Sequence, residues 1–311
     1  MYLSAFITNQ WLSAVLINDN PIEIVDSTFV KFPYKVRVAD RVILQEDINK
    51  ILEAEFKEYI KTINDVNPIF ILNTTYPTDI TSHKLVTDIL PQIPLTIVDI
   101  NQFDETLTDF VSDKYLNAFK NYTEYRFTLP KDIKLQVDLT YLTYYIKNNL
   151  DKLLGIQNIV ITSPLKFSEI AIMDYIVNIV RQFANTIKIA GTFNFNIDYA
   201  YNLIPIVTAL LELDVDIKQF FKDNPLAPDA KLIVAPGVEK YEVFSSTLHA
   251  LDGKEKTETV NLRTNALNII QLKENEEIKI SYKSKASKFS GKITGSRTDV
   301  YFDNREFNLK K

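Results

Sequence analysis

Leu3-Ser4-Ala5-Phe6-Ile7, Leu12-Ser13-Ala14-Val15-Leu16-Ile17 and Ile22-Glu23-Ile24-Val25 are three strand-length apolar runs, separated by Thr8-Asn9-Gln10 and Asn18-Asp19-Asn20-Pro21. Turn residues between short apolar runs predict a β-meander over residues 2–32. From Asp47 the period changes. Ile48, Ile51, Leu52, Phe56, Tyr59, Ile60 and Ile63 recur at helical spacing, with Lys and Glu opposite. Pro68-Ile69-Phe70-Ile71-Leu72 then reads as a buried strand, Ile80–Leu90 as a helix and Pro94–Asp99 as a further strand. A meander followed by this αβαβ succession predicts a mixed sheet with helices packed on it.

Working outward, helices are expected over Phe103–Tyr122 and Leu139–Leu154, around an extended piece at Tyr125–Leu129. Gly155-Ile156-Gln157-Asn158-Ile159-Val160-Ile161-Thr162-Ser163-Pro164 reads as a buried strand delivered to a sharp turn, with a helix over Glu169–Phe183 behind it. In α/β proteins such turns are where ligands are usually held. A short strand at Ile187–Ala190 and a helix at Tyr199–Leu213 follow, and Phe220 and Phe221 close the body. The Pro-rich cluster Asn224–Asp229 marks a boundary. Beyond it Tyr241 and Val243, a turn at Asp252-Gly253-Lys254, and then Val260 and Leu262, Ile278, Ile280 and Tyr282, and Val300 and Phe302 alternate with polar residues. The expected organisation is an α/β body over 1–228, followed by a small antiparallel β-sandwich or barrel over 229–311.

Charge follows the same division. Residues 1–229 carry 20 basic and 29 acidic side chains and residues 230–311 carry 15 and 11, so the parts hold −9 and +4 of the net −5. An acidic body argues against nucleic acid as its partner. The chain has no cysteine, which excludes disulfides, thiolate metal sites and cysteine nucleophiles. His83 and His249 fall in different predicted domains without metal-ligand spacing. A positioned histidine base for nucleophilic catalysis is equally unsupported, so no catalytic or metal residue is assigned. The start Met1-Tyr2-Leu3-Ser4 lacks a signal-peptide layout, and no apolar run approaches a membrane span. A cytoplasmic chain without membrane insertion is expected.

The meander, the αβαβ succession and the later strand–turn–helix resemble the actin-like ATPase superfamily of sugar kinases, heat-shock chaperones and actin. In that superfamily a first hairpin of the type Asp-x-Gly-Thr/Ser-x-x-x-Lys wraps the phosphates. Here Phe6 stands where the metal-organising aspartate belongs, and Thr8 where the glycine belongs. The stretch matching the later Gly-Gly turn is Ile159–Pro164, with Ser163 and Pro164 in place of glycines. Within the superfamily the chain is similar to glutamate mutase L-type proteins, whose tail carries Gly-Gly-x-x-Gly, three hydrophobic residues and Asp-Ala-Arg-Gly-Arg-Pro. Gly295, Asp303 and Arg305 match that tail; the other glycines and the closing Gly-Arg-Pro do not. The likeness covers about residues 156–311 and the first hairpin. It implies an actin-like, ribonuclease H-like body, with two reduced lobes at 1–100 and 101–228.

The resemblance places degenerate nucleotide turns at Thr8, Asn9, Gln10, Asp99, Asn101, Thr162 and Ser163. Asp99 to Asp104 could imitate the second phosphate loop; alternatively Asn101 or Asp104 simply caps the helix starting near Phe103. Phosphate cradles need glycine because the backbone must approach the oxygens closely. The chain has six glycines, none of them clustered. Lys283, Lys285, Lys288, Lys292 and Arg297 form a basic run without an acid, read either as a contact for an anionic partner or as a solvated hairpin. Asp303 and Arg305, two residues apart on one strand face, are expected to make a structural ion pair with another loop. The leading expectation is a non-catalytic actin-like scaffold with a protein partner and no cofactor. The alternatives are a divergent enzyme or chaperone using ATP with magnesium, and a binding module for an anionic polymer such as nucleic acid.

Overall fold

The computed structural model describes residues 1–7, 11–32, 45–72, 96–99, 131–153, 158–162, 171–224, 226, 228–236, 238–248, 255–259, 261–271, 276–284, 288–295 and 299–306. The chain opens with strands β1 (Tyr2–Ile7), β2 (Trp11–Asp19) and β3 (Ile22–Lys31), helix α1 (Gln45–Glu55), and strands β4 (Asn67–Leu72) and β5 (Thr96–Asp99). Helices α2 (Lys131–Asn148) and α3 (Leu150–Leu153), strand β6 (Asn158–Thr162), helix α4 (Ile172–Ile187) and strand β7 (Gly191–Asp198) follow. After helices α5 (Leu203–Glu212) and α6 (Ile217–Asp223) come strands β8 (Ala230–Val234), β9 (Val238–Leu248) and β10 (Glu255–Thr259). The last strands are β11 (Leu267–Ile270), β12 (Glu276–Ser284), β13 (Lys288–Gly295) and β14 (Asp299–Asp303). The protein is mixed α/β. Among the described residues no helix is long and apolar enough to cross a membrane.

Contacts divide the chain into two units. One unit holds Met1–Val137, Ile161–Ile170 and Asp198–Pro225; the other holds Asp138–Val160, Ala171–Ile197 and Leu226–Lys311.

In the first unit the strands run β3-β2-β1-β4. β1 pairs antiparallel with β2, β2 antiparallel with β3, and β1 parallel with β4. This is the mixed sheet expected from the meander, with α1 as the crossover that a parallel pair requires. Strand alternation sorts the side chains. Leu3, Ala5, Ile7, Leu12, Ala14 and Leu16 share a buried cluster with Ile48, Leu52 and Phe56 of the α1 segment. Each of those three large side chains contributes about 1.5–3 kcal/mol by leaving water. Val15 and Ile17 belong to a second cluster with Ala209 of α5.

The helix ends earlier than its period predicts. Glu53 accepts a hydrogen bond from the Ile63 backbone N–H at 2.8 Å, where the chain has turned back. Tyr59, read from the sequence as part of the apolar face, is 45% exposed, while Ile60 and Ile63 are still buried beyond the helix. β5 lies outside the meander's sheet.

In the second unit the strand order includes β11-β14-β8-β7-β6. β7 pairs antiparallel with β8, β14 parallel with β8, and β11 antiparallel with β14. Strands from both sides of the Asn224–Asp229 turn therefore share one mixed sheet, rather than the tail building a wholly antiparallel layer of its own. The reason is burial. β8 and β14 are buried nearly throughout, and strands that bury both faces need cover on both faces. Val300 and Phe302 thus belong to a fully buried strand, not a half-solvated one. Phe183 of α4 packs edge-on against Phe193 and Phe195, with centroids 5.2 and 5.0 Å away.

The strand expected at Ile187–Ala190 is displaced into β7. Ile187 is the last residue of α4, and Lys188 takes the left-handed conformation, φ 45°, that stops the helix. Ile172, read from the sequence as apolar helix face, is 40% exposed. A separate sheet runs β10-β9-β12-β13, with every pairing antiparallel. Among the described residues no helix follows α6, as expected. The segments read as Ile80–Leu90, Phe103–Tyr122, Tyr125–Leu129 and Asp252–Lys254, with Val260, lie outside the described residues.

Candidate functional site

The first hairpin is the place to look for phosphate chemistry, and its flanks are ring-lined. Phe6 at the end of β1 and Trp11 at the start of β2 are 0% and 1% exposed. Their ring centroids lie 5.4 Å apart. Trp11 stacks on Tyr201 at 4.6 Å with planes 15° apart, and meets Phe29 of β3 at 5.1 Å. Such pairs contribute about 0.5–1.5 kcal/mol each beyond their area. Tyr201 holds φ 52°, a left-handed conformation that costs a non-glycine residue about 1 kcal/mol.

A polar lock sits beside the rings. Ser13 Oγ lies 3.1 Å from both the Tyr201 carbonyl oxygen and Asn202 Oδ1, so its one proton is shared between two acceptors. The Asn202 amide donates onward to Ser27 Oγ at 3.1 Å. One side chain thereby bridges β2 and β3 at the start of α5.

That helix start is also filled. Asp198 accepts hydrogen bonds from the backbone N–H groups of Asn202 at 2.8 Å and Leu203 at 3.3 Å. Free N–H groups at a helix N-terminus attract anions; here the chain's own carboxyl takes the position. Burial pushes the Asp198 carboxyl up to about 6, against the backbone N–H groups that favour its charged form. The arrangement ties the meander to α5 through rings and the hydrogen bonds of Ser13 and Asn202.

Most of the sequence-derived candidates lie outside the described residues. Thr8, Asn9 and Gln10 lie outside the described residues, between Phe6 and Trp11, as do Asn101 and Ser163. Asp99 is the last residue of β5, and Thr162 is the last residue of β6 and buried. Lys283 is on β12 and Lys288 and Lys292 on β13, whereas Lys285 and Arg297 are outside the described residues. His83 and His249 are outside them too. Among the described residues no group of three or more His, Cys, Asp or Glu could hold a metal ion.

Asp303 and Arg305 pair with each other rather than with another loop. Arg305 Nε and Nη2 donate to the two Asp303 oxygens at 2.8 and 2.7 Å, and Nη1 donates to Asn185 Oδ1 at 2.7 Å. Asp303 in turn holds the guanidinium pKa above its ordinary value. Sequence reasoning missed Tyr201 and Asn202, for which no local signal exists. Trp11 is the single tryptophan of the chain. No family model, curated protein or solved structure matches the chain.

Proposed function

We propose that the chain is a non-catalytic interaction protein built on an actin-like framework, with nucleotide chemistry lost from the first hairpin and a protein as partner. The observation that carries this reading is Phe6. The position that the resemblance reserves for a metal-organising carboxylate holds a buried ring packed on Trp11. A hydrated magnesium ion needs carboxylate and water oxygens around it, and a phenyl ring supplies none. The nearby helix start adds support, because Asp198 occupies its N–H groups. The framework itself is supported by the meander, helix and parallel strand on which the resemblance rests, present here as one sheet.

The test is titration of the purified chain with ATP and magnesium, followed by calorimetry and by release of inorganic phosphate. Neither binding heat nor phosphate release is expected. Micromolar binding or magnesium-dependent hydrolysis would overturn the proposal.

A further inference from the structure

The register of the β10-β9-β12-β13 sheet assembles a lysine face that the linear run did not reveal. Lys283 of β12 stands opposite Lys288 of β13 on one side and Lys240 of β9 on the other. Two pairs along, Lys279 stands opposite Lys292. Residues at every second position of a strand, and their direct cross-strand partners, share one side of a sheet. Lys240, Lys279, Lys283, Lys288 and Lys292 therefore belong to the same side. Between the two lysine rows runs the row Ser290–Ser281–Glu242. The alternate positions, Ile278, Ile280 and Tyr282 opposite Ile293, Gly291 and Phe289, form the other side, where Ile280 is fully buried.

Edge protection explains only part of this pattern. Lysines on an edge strand discourage pairing with other chains, and β13 is an edge of this sheet. β12 and β9 are interior strands, yet they hold three of the five lysines. Like charges directly opposite one another destabilise a sheet, and the register sets Lys288, Lys283 and Lys240 in one such row.

We infer that this face docks an acidic polypeptide segment of a partner protein. The inference rests on the interaction-protein reading above and names the partner's chemistry. Carboxylates are favoured over nucleic acid by what else shares the side. Arginine is absent from the face within β9, β12 and β13; Tyr241, Tyr282 and Phe289 take the opposite side by register, and of the aromatics in these strands Phe244 alone, opposite Lys279, shares the lysine side. Single-stranded nucleic acid needs a platform of successive stacking aromatics, which one ring does not supply. Glu242, between the lysine rows, and Glu277 would oppose the continuous phosphate charge of a duplex. A peptide with spaced carboxylates can instead place each one at a lysine.

The test uses the full chain and fluorescein-labelled oligo-glutamate, read by fluorescence anisotropy at low and raised salt. Saturable binding is expected, weakening at least tenfold between 50 and 200 mM salt as the charges are screened. Lys279→Gln/Lys283→Gln/Lys288→Gln should weaken it at least tenfold. Lys256→Gln, on the opposite side by register, should leave it unchanged. Circular dichroism of each variant confirms folding, and Lys283→Arg retains binding as a check that charge is what matters. Absence of binding, insensitivity to the triple change in a folded variant, or tighter binding of duplex DNA of equal charge would each overturn the docking inference. The ATP titration decides the interaction-protein reading separately, since nucleotide binding there does not depend on these lysines.

Discussion

Arg305 closes on both carboxylate oxygens of Asp303, two residues earlier in the chain, while Asp303 is fully buried and Arg305 is only partly so. Planar two-point pairing of this kind is specific to arginine. The third contact, to Asn185, carries the pair onto the end of α4. The structure thus gives the two residues matching the resembled tail motif an architectural use within their own unit.

Arg305→Leu should leave the Asp303 charge buried and unpaired, at a cost of about 3 kcal/mol. The double variant Arg305→Leu/Asp303→Leu should lose less than Arg305→Leu alone, because no orphaned charge remains. Urea denaturation of the two variants, compared with the parent, measures the difference. Equal losses in both would show that packing, rather than charge pairing, holds this corner.

Phe6→Ala should lower stability by about 3–5 kcal/mol, the range for emptying a buried aromatic position. Trp11 is the single tryptophan of the chain, so its emission reports directly on the loosened stack. Phe6→Asp restores the residue type that the resemblance expects, but it buries a charge among rings. It should unfold the first unit without conferring stabilisation by magnesium and ATP, as read by a thermal melt with and without nucleotide.

Asp198 makes stability depend on pH. An ordinary aspartate loses its proton near 3.8, whereas in the fold the loss is raised to about 6. Between those values the folded chain holds a proton that the unfolded chain has released, so this contribution is full below about pH 4 and falls as pH rises toward 6. Its size is at most about 3 kcal/mol, taking about 1.4 kcal/mol per pH unit over the window. Asp198→Asn keeps an oxygen for the start of α5 and should flatten that slope. Urea midpoints at pH 4, 5, 6 and 7 for both proteins would show it. A slope unchanged by the substitution would assign the pH dependence to other carboxyls.

Residues 226–311 expressed alone should not fold as a domain. β8 would lose its antiparallel partner β7, and the α4 ring Phe183 and the strand residues Phe193 and Phe195 would be absent. An amide spectrum of the fragment should show the narrow dispersion of an unfolded chain, while residues 138–311 should retain native signals from β14. A well-dispersed spectrum from the short fragment would instead support the boundary drawn from composition.

How legible was the fold? The meander could be read because turns marked by Asn, Asp and Pro separate strand-length apolar runs. α1 could be read as far as Phe56. Its end could not, since a bond from the Ile63 backbone to Glu53 is a tertiary event. β7 was present in the alternation Phe193, Phe195, Ile197, yet the preceding Ile187-Lys188-Ile189-Ala190 competed as an equally apolar run. The candidate site was least legible. Ser13 and Tyr201 meet across 188 residues of chain, and neither neighbourhood contains a residue that requires the other. The lysine face lay between these extremes: the run Lys283–Arg297 was visible, but only the register recruits Lys240 and Lys279 to the same side.

β14 sits between β8 and β11 in its sheet, although β8 begins at residue 230 and β14 at residue 299. A ribosome adding roughly 5–20 residues per second needs several seconds to cover that stretch. Throughout that time the nascent β8 offers a bare hydrogen-bonding edge and the apolar run Leu232-Ile233-Val234. The protein therefore emerges with an open seam, and its yield in a cell should respond to translation speed and to chaperones that shield extended segments.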